Sequence, residues 1–381
     1  MSRRSDPFAR DLRATIDRAH LVDRTHGGDV ERWAQNAGIK TSEILDFSAS
    51  INPLGPPTTA RKAFIESYGA VSRYPDPYGD HLKRALARRH GMDPAEILIG
   101  NGSTQLIYLL CAALRPRTAL VVGPAFSEYS NALTLAGARI HPASLSADNG
   151  FSFSLQAFMT AWETDCDIVF IATPNSVTGQ LIPKAEIVKI ANFALTRKSL
   201  VVVDETFIDF VEDESLKTKV RGNANFVILR SLTKYYGVPG LRLGYLFGDA
   251  CRVERLAVYQ EPWSVNGPAL KVALACLEDV NFIEKTSRWL EGERKFLYTR
   301  LAALQDLHPL PSKTNFLLVR IDNRLADAFA LRAFLLRQNI LIRVCDTFGL
   351  GGAYFRVAVR RRQENLRLVA ALAEWLASLG K

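Results

Sequence analysis

The sequence predicts an α/β protein: a large domain on a mostly parallel sheet, followed by a smaller α+β domain. Three observations carry this. Segments 97–100, 118–123, 167–172, 199–205, 225–231 and 241–248 are continuous Val/Ile/Leu-rich runs rather than alternating ones, the pattern of strands covered on both faces. They alternate with helical stretches, which calls for parallel strands joined by helical crossovers. Beyond about residue 266 the composition shifts to long Arg/Glu/Leu-rich helical patterns, then to strands at 315–321, 340–344 and 354–359 between helices at 325–337 and 361–378.

Each element has a local reason. Residues 1–24 carry six Arg and four Asp without an apolar stretch, so they read as a charged extension, neither a secretory signal nor an acid-poor transit peptide. HGG at 26–28 and INPLGPP at 51–57 predict an extended, turn-rich arm, and RYPDPYG at 73–79 punctuates again. Helices are expected from Ser103 to Leu114, near Ser127–Ala136, and from Pro183 to Thr196, where proline occupies the first turn. The connection from Ser231 to Leu241 is too short for a helical crossover, so the strand at 241–248 is expected to run antiparallel.

Composition sets bounds. At about 150 residues per domain, 381 residues allow two to three domains. With 48% hydrophobic and 23% charged residues the chain is neither disordered nor collagen-like. No apolar run reaches the roughly 18 residues of a membrane span. Five scattered cysteines without a CxxC pair read as small buried apolar residues in a reducing compartment, and the expected location is the cytoplasm. The histidines show neither HxH nor HExxH spacing, so no metal is expected. The net charge of +9 suits anionic ligands. No basic run interleaved with aromatics points to nucleic acid, and RRRQE at 360–364 reads as the solvated face of a C-terminal helix.

The chemistry concentrates at strand ends, where open α/β sheets bind ligands. Lys234 follows the strand at 225–231, with Ser231 and Thr233 just before it and Arg242 eight residues after. A desolvated lysine beside other cations becomes a nucleophile toward aldehydes, and hydroxyls with a guanidinium suit a phosphate ester. Pyridoxal 5′-phosphate (PLP) offers both groups. Alone, Lys234 reads as a surface lysine, but three other strand ends supply what this cofactor requires. Asp204 can pair with a pyridine nitrogen, although it could equally cap a helix. Asn175, in TPN, can donate to the ring hydroxyl O3′ or serve a turn. GNGST at 100–104 offers Ser103, Thr104 and free N–H groups at a helix start, or simply caps it.

The order GNGST, PAFSEY, TPNSVTG, VVDETF, SLTK, GLRLGY resembles fold-type I PLP-dependent enzymes of the class I/II aminotransferase superfamily, from about residue 25 to the end. The resemblance implies a seven-stranded sheet in a large PLP-binding domain (58–262), a small α+β C-terminal domain (263–381), and an arm (25–57) shared by the small domain and the active site. It implies that Lys234 binds the cofactor covalently and shuttles protons, that Asp204 pairs with the pyridinium and Asn175 with O3′, and that Phe126 stacks on the ring. Ser103, Thr104, Ser231, Thr233 and Arg242 would hold the cofactor phosphate. Arg356 of YFRVAVR would bind the substrate carboxylate. Tyr74 would reach the neighbouring subunit's cofactor phosphate, which implies a homodimer. Phe207 departs from the pattern, standing near where many relatives carry a tyrosine that assists O3′.

Two branches of the superfamily fit. One transaminates histidinol phosphate and shares RYPDPYG and the SLTK type of lysine segment. The other decarboxylates L-threonine O-3-phosphate in cobalamin biosynthesis, and the HGG opening, the DFSASINPLGPP segment and DETFIDF resemble it more. Ser50 stands where that opening ordinarily has asparagine. The resemblance therefore implies a threonine-phosphate carboxy-lyase, with histidinol-phosphate aminotransfer or serine-phosphate decarboxylation as alternatives. His26 and Asn52, in the arm that separates the branches, are candidates for the substrate phosphate; for His26 a structural role in packing the Gly-Gly turn weighs about equally.

Overall fold

The computed structural model describes residues 26–162, 165–322 and 326–379; the extension expected over residues 1–24 lies outside them. The arm holds a short strand, β1 (Leu45–Asp46). The large sheet follows as β2 (Ile97–Asn101), β3 (Thr118–Gly123), β4 (Arg139–Ser144), β5 (Ile168–Ala172), β6 (Leu200–Asp204), β7 (Phe226–Ser231) and β8 (Leu243–Gly248), in spatial order β2-β8-β7-β6-β5-β3-β4. Pairings among β3 to β7 are parallel, while β8 runs antiparallel to β2 and β7, as its short connection requires. Alternate residues of one strand enter different cores: Val201 and Val203 pack on one face, Leu200 and Val202 on the other. This is why the strands read as continuous apolar runs. Each such side chain stabilises the fold by roughly 1.5–3 kcal/mol when fully buried. Strand β4 carried no such signal. It is an edge strand, RIHPAS, in which only Ala143 is buried.

The second sheet contains β9 (Leu307–Pro309), β10 (Phe316–Ile321), β12 (Arg343–Val344) and β13 (Tyr354–Ala358), antiparallel in the order β12-β13-β10-β9. The strand expected over 340–344 is two strands. Residues of β11 (Ile340–Leu341) pair in parallel with β1 of the arm, and those of β12 pair with β13. Helices Val280–Ala302, Ala328–Leu336 and Arg362–Leu379 bury Leu297, Leu335, Leu372 and Trp375 against Val319, Phe355 and Val357.

Arg361, Arg362 and Gln363 of RRRQE are exposed, as expected of a solvated face, but the three arginines are also bonded. Arg360 donates to the carbonyl oxygen of Asp46 (2.8 Å) and Arg361 to that of Pro53 (3.2 Å), while Arg362 pairs with Glu293 (2.9 Å). Two of the three thus tie the arm to the far end of the chain. Among the cysteines, Cys111, Cys166, Cys276 and Cys345 are buried and free, but Cys251 is exposed in the first turn of helix Ala250–Ala257. No helix of the described residues is long and apolar enough to cross a membrane.

Candidate active site

A cavity of about 400 Å³ opens at the ends of β6 and β7, walled by the arm, both sheets and the start of two helices. Ser103, Thr104, Phe126, Asp204, Ser231, Thr233, Lys234, Arg242, Arg356 and His26 all line it. Asn52, Asn175 and Tyr74 are not among the residues that do.

One end is built for a phosphate. Helix Gly102–Leu114 starts directly after β2, so Ser103 and Thr104 occupy its first turn beside N–H groups without helical acceptors. Gly102 has φ +80°, and a Cβ there would lie 2.5 Å from a terminal nitrogen of Arg242; one at Gly244 would lie 2.3 Å from the Ser103 nitrogen. Glycine at both places lets β8 and the helix start close around the guanidinium. The Ser231 and Thr233 hydroxyls bond each other (2.8 Å) and complete this side.

Lys234 and Asp204 face each other across the middle. Burial destabilises the Lys234 ammonium, the charges of Arg356 and Arg242 add to this, and Asp204 opposes them, leaving a pKa of about 8. Asp204 is buried; its Oδ2 accepts from the Tyr129 hydroxyl (2.5 Å) and its Oδ1 from the Thr206 N–H (2.8 Å). Burial raises its pKa in spite of these bonds. Tyr129 in turn stacks on Phe170 (4.9 Å between ring centroids) and meets Phe126 edge-on.

The opposite wall is cationic. Arg356 donates to the Ser176 carbonyl oxygen and lies 4.7 Å over the Phe316 ring. Directly across the β12–β13 ladder stands Arg343, which also lines the cavity and donates to the Thr347 hydroxyl (2.6 Å). Burial and the neighbouring Arg343 lower the Arg356 pKa to about 10 against the pull of Cys345. His26 closes the mouth, its Nε2 3.2 Å from the Glu128 carboxylate.

Three expected placements need correction or refinement. Asn52 does not face the cavity: Nδ2 donates to Tyr235 O (2.8 Å) and Thr286 Oγ1 (3.1 Å), while its backbone N–H donates to Lys234 O (3.0 Å). Both amide hydrogens are spent, and the residue positions the lysine segment instead. Asn175 donates one amide hydrogen to Pro124 O (2.9 Å), and its Oδ1 accepts from Val177 and Thr178. Tyr74 is 83% exposed and packs on Trp263 (4.8 Å between centroids), away from its own chain's cavity.

Sequence reasoning missed Glu128, Tyr129 and Arg343. The first two stand within PAFSEY, one turn beyond Phe126. Arg343 is the one charge interrupting the apolar run ILIRV, and that interruption was the available signal.

The donor set fits PLP. A helix start, four hydroxyls and Arg242 surround a phosphate-sized end, a lysine with a lowered pKa faces a buried carboxylate, and Ser50 Oγ, Ser176 Oγ and Arg356 Nε at the cavity wall are buried without a hydrogen-bond partner. No group of His, Cys, Asp and Glu suited to a metal occurs among the described residues.

A family model described as aminotransferase class I and II matches residues 42–372. Threonine-phosphate decarboxylase of Salmonella typhimurium is 38% identical over 362 residues, covering 94% of this chain and 98% of that one. Histidinol-phosphate aminotransferase 1 of Thiobacillus denitrificans is 32% identical, covering 92% and 90%. Among solved structures, L-threonine-O-3-phosphate decarboxylase from Porphyromonas gingivalis matches with a TM-score of 0.77 at 27% identity, over 87% of this chain and 99% of that one.

Proposed function

The chain belongs to the class I and II aminotransferase family and its cofactor is pyridoxal 5′-phosphate; on that premise we propose that it decarboxylates L-threonine O-3-phosphate to (R)-1-aminopropan-2-ol O-2-phosphate and CO₂ in cobalamin biosynthesis. The observation that carries this reading is the pair of arginines, Arg343 and Arg356, directly opposite on neighbouring strands and both lining the cavity. Two guanidinium groups at one wall suit a substrate with two anionic groups, a carboxylate and a phosphate. Histidinol phosphate carries only the phosphate, and its amino transfer would bring carboxylate to the pair only with the 2-oxo acid acceptor, whereas threonine phosphate brings both groups in one molecule. The 38% identity to a threonine-phosphate decarboxylase supports the same reading.

When bound, PLP supplies an aldehyde for the substrate amine and a ring that takes up the electron pair of the broken bond. Ser103, Thr104, Ser231, Thr233 and Arg242 would hold its phosphate, Asp204 its ring nitrogen, Asn175 its O3′ and Phe126 its face. The bond that breaks is the one held perpendicular to the ring plane, so the positions of the anion clamps decide between decarboxylation and amino transfer. Arg356 and Arg343 act as those clamps. Lys234 Nζ, as its ammonium, donates the proton that replaces CO₂ at Cα, and its lowered pKa of about 8 makes that proton easier to give.

A homodimer completes the assembly. Tyr74 projects from a face that also exposes Tyr68, Val71, Tyr78 and Trp263, and a second copy covering that face would receive Tyr74 at its cofactor phosphate.

The test is CO₂ release from threonine phosphate by the PLP-loaded enzyme without any 2-oxo acid. Lys234→Ala is expected to lower that rate by about 10²–10⁴-fold. Amino transfer from histidinol phosphate with no CO₂ overturns the reading and establishes its rival, which draws on the 32% relative. Serine phosphate measures the methyl pocket, since one methyl group discriminates by only about 1–3 kcal/mol.

A further inference from the structure

Resting on that reading, we propose that Glu128 is a positioning residue for the substrate phosphate: its carboxylate holds the His26 ring by Nε2, so that Nδ1 is the nitrogen presented to a phosphate oxygen in the cavity. Glu128 stands in the first turn of helix Ser127–Ala136, two residues after Phe126. It is buried at the cavity wall, and its own geometry is fixed by the Tyr108 hydroxyl (2.6 Å) and the Asn131 amide (2.7 Å). The third donor is His26, at 3.2 Å. Burial alone would raise the carboxyl pKa, but the bonds from His26, Tyr108 and Asn131 outweigh it and keep Glu128 ionised.

His26 needs such an anchor. Its side chain is 44% exposed, and the ring otherwise meets only the tilted Phe126 ring, 6.1 Å away, among the described contacts. The chain reaches this point through two glycines. A Cβ on Gly27 would lie 2.5 Å from the Ser48 carbonyl oxygen, and Gly28, at φ +80°, donates its N–H to Ser48 Oγ (2.8 Å). The backbone beside His26 is therefore set by the arm, and the ring by Glu128. An imidazole has two distinct nitrogens, and the partner of one decides which way the other points. In its cationic form the ring donates Nε2–H to Glu128 and Nδ1–H to the phosphate. Arg343 approaches the same corner, its Cδ lying 3.7 Å from that Gly27 Cβ position, so charge and direction converge there.

The experiment is a double-mutant cycle on the PLP-loaded enzyme, reading KM and kcat for threonine phosphate and the Kd of inorganic phosphate. His26→Ala is expected to raise KM by about 10–100-fold, the cost of a hydrogen bond to a charged group. Glu128→Gln can keep an oxygen toward His26 and Asn131 and turn its N–H to the Tyr108 hydroxyl, so the cycle uses Glu128→Leu, which keeps the bulk and removes the acceptor. Glu128→Leu is expected to raise KM and the phosphate Kd in the same direction, with kcat and the cofactor absorbance little changed. The double variant is expected to be no worse than His26→Ala alone, because Glu128 acts through His26. Losses that multiply, or an unchanged phosphate Kd in Glu128→Leu, overturn the proposal. If the wild-type enzyme releases no CO₂, the proposed reaction fails, and the cycle on the phosphate Kd still decides the role of Glu128.

Discussion

The ends of β6 and β7 carry two electrostatic sites on opposite faces of one sheet. Asp204 and Ser231 point into the cavity, while their chain neighbours Glu205 and Arg230 point the other way by strand alternation. On the far face Arg230 is fully buried and meets Glu205 (3.0 Å), Asp209 (3.0 Å) and Glu212 (2.5 Å). Burial alone lowers the pKa of an arginine, yet these carboxylates and Tyr245 hold that of Arg230 well above its usual value. On the cavity face Arg356 has no carboxylate partner among the described residues, and its pKa falls to about 10. One arginine is completed by the protein itself. The other has a carbonyl oxygen and aromatic rings, but no carboxylate, among its described contacts.

The sharpest break of this contrast is a crossed pair of substitutions. Arg230→Met strands the buried carboxylates of Glu205 and Asp209, while Glu212 keeps Lys217, and should cost about 3–5 kcal/mol of stability in urea unfolding. Arg356→Met should leave stability unchanged or raise it, while KM for threonine phosphate rises by on the order of 100-fold, the loss of one partner of a buried ion pair. Equal losses of stability in the two variants would erase the distinction.

A smaller effect sharpens it. The Lys234 amine reacts only when unprotonated, so cofactor capture by the apo-protein should accelerate with pH, about tenfold per unit below a midpoint of about 8, and level off above it. Removing the Arg356 charge removes part of what lowers that pKa. The midpoint should therefore move upward in Arg356→Met and stay in place in Arg230→Met, as followed by the visible absorbance of the bound cofactor. The smallest expected effect belongs to Phe126→Ala, which should weaken PLP binding by about 0.5–1.5 kcal/mol beyond lost burial without stopping turnover.

Much of the site was legible because the sheet gathers strand ends in one place. Once 199–205 and 225–231 read as buried parallel strands, Asp204 and Lys234 had to lie near each other. Residues whose role depends on a three-dimensional partner were not legible. Asn52 looked available for substrate, yet nothing in INPLGPP reveals that Thr286 and Tyr235 consume its amide. Arg343 was hidden by a strand that changes sheets at Ile342, and β4 by an edge position that needs few apolar residues. RRRQE showed only its exposed side for the same reason. Its charge was visible, whereas the carbonyl oxygens of Asp46 and Pro53 that receive it lie about three hundred positions earlier.

That last distance orders events during synthesis. The ribosome releases the arm about three hundred residues before its anchors, Ile340, Leu341, Arg360 and Arg361. Until they emerge, the segment bearing His26 and Ser50 has no strand to pair with, and the cavity lacks one wall. Contacts of such sequence separation form slowly and late. The large sheet, complete by Gly248, can assemble around an open pocket well before then. A nascent chain would therefore form the end of the cavity at Ser103, Ser231 and Arg242 before the wall supplied by the arm.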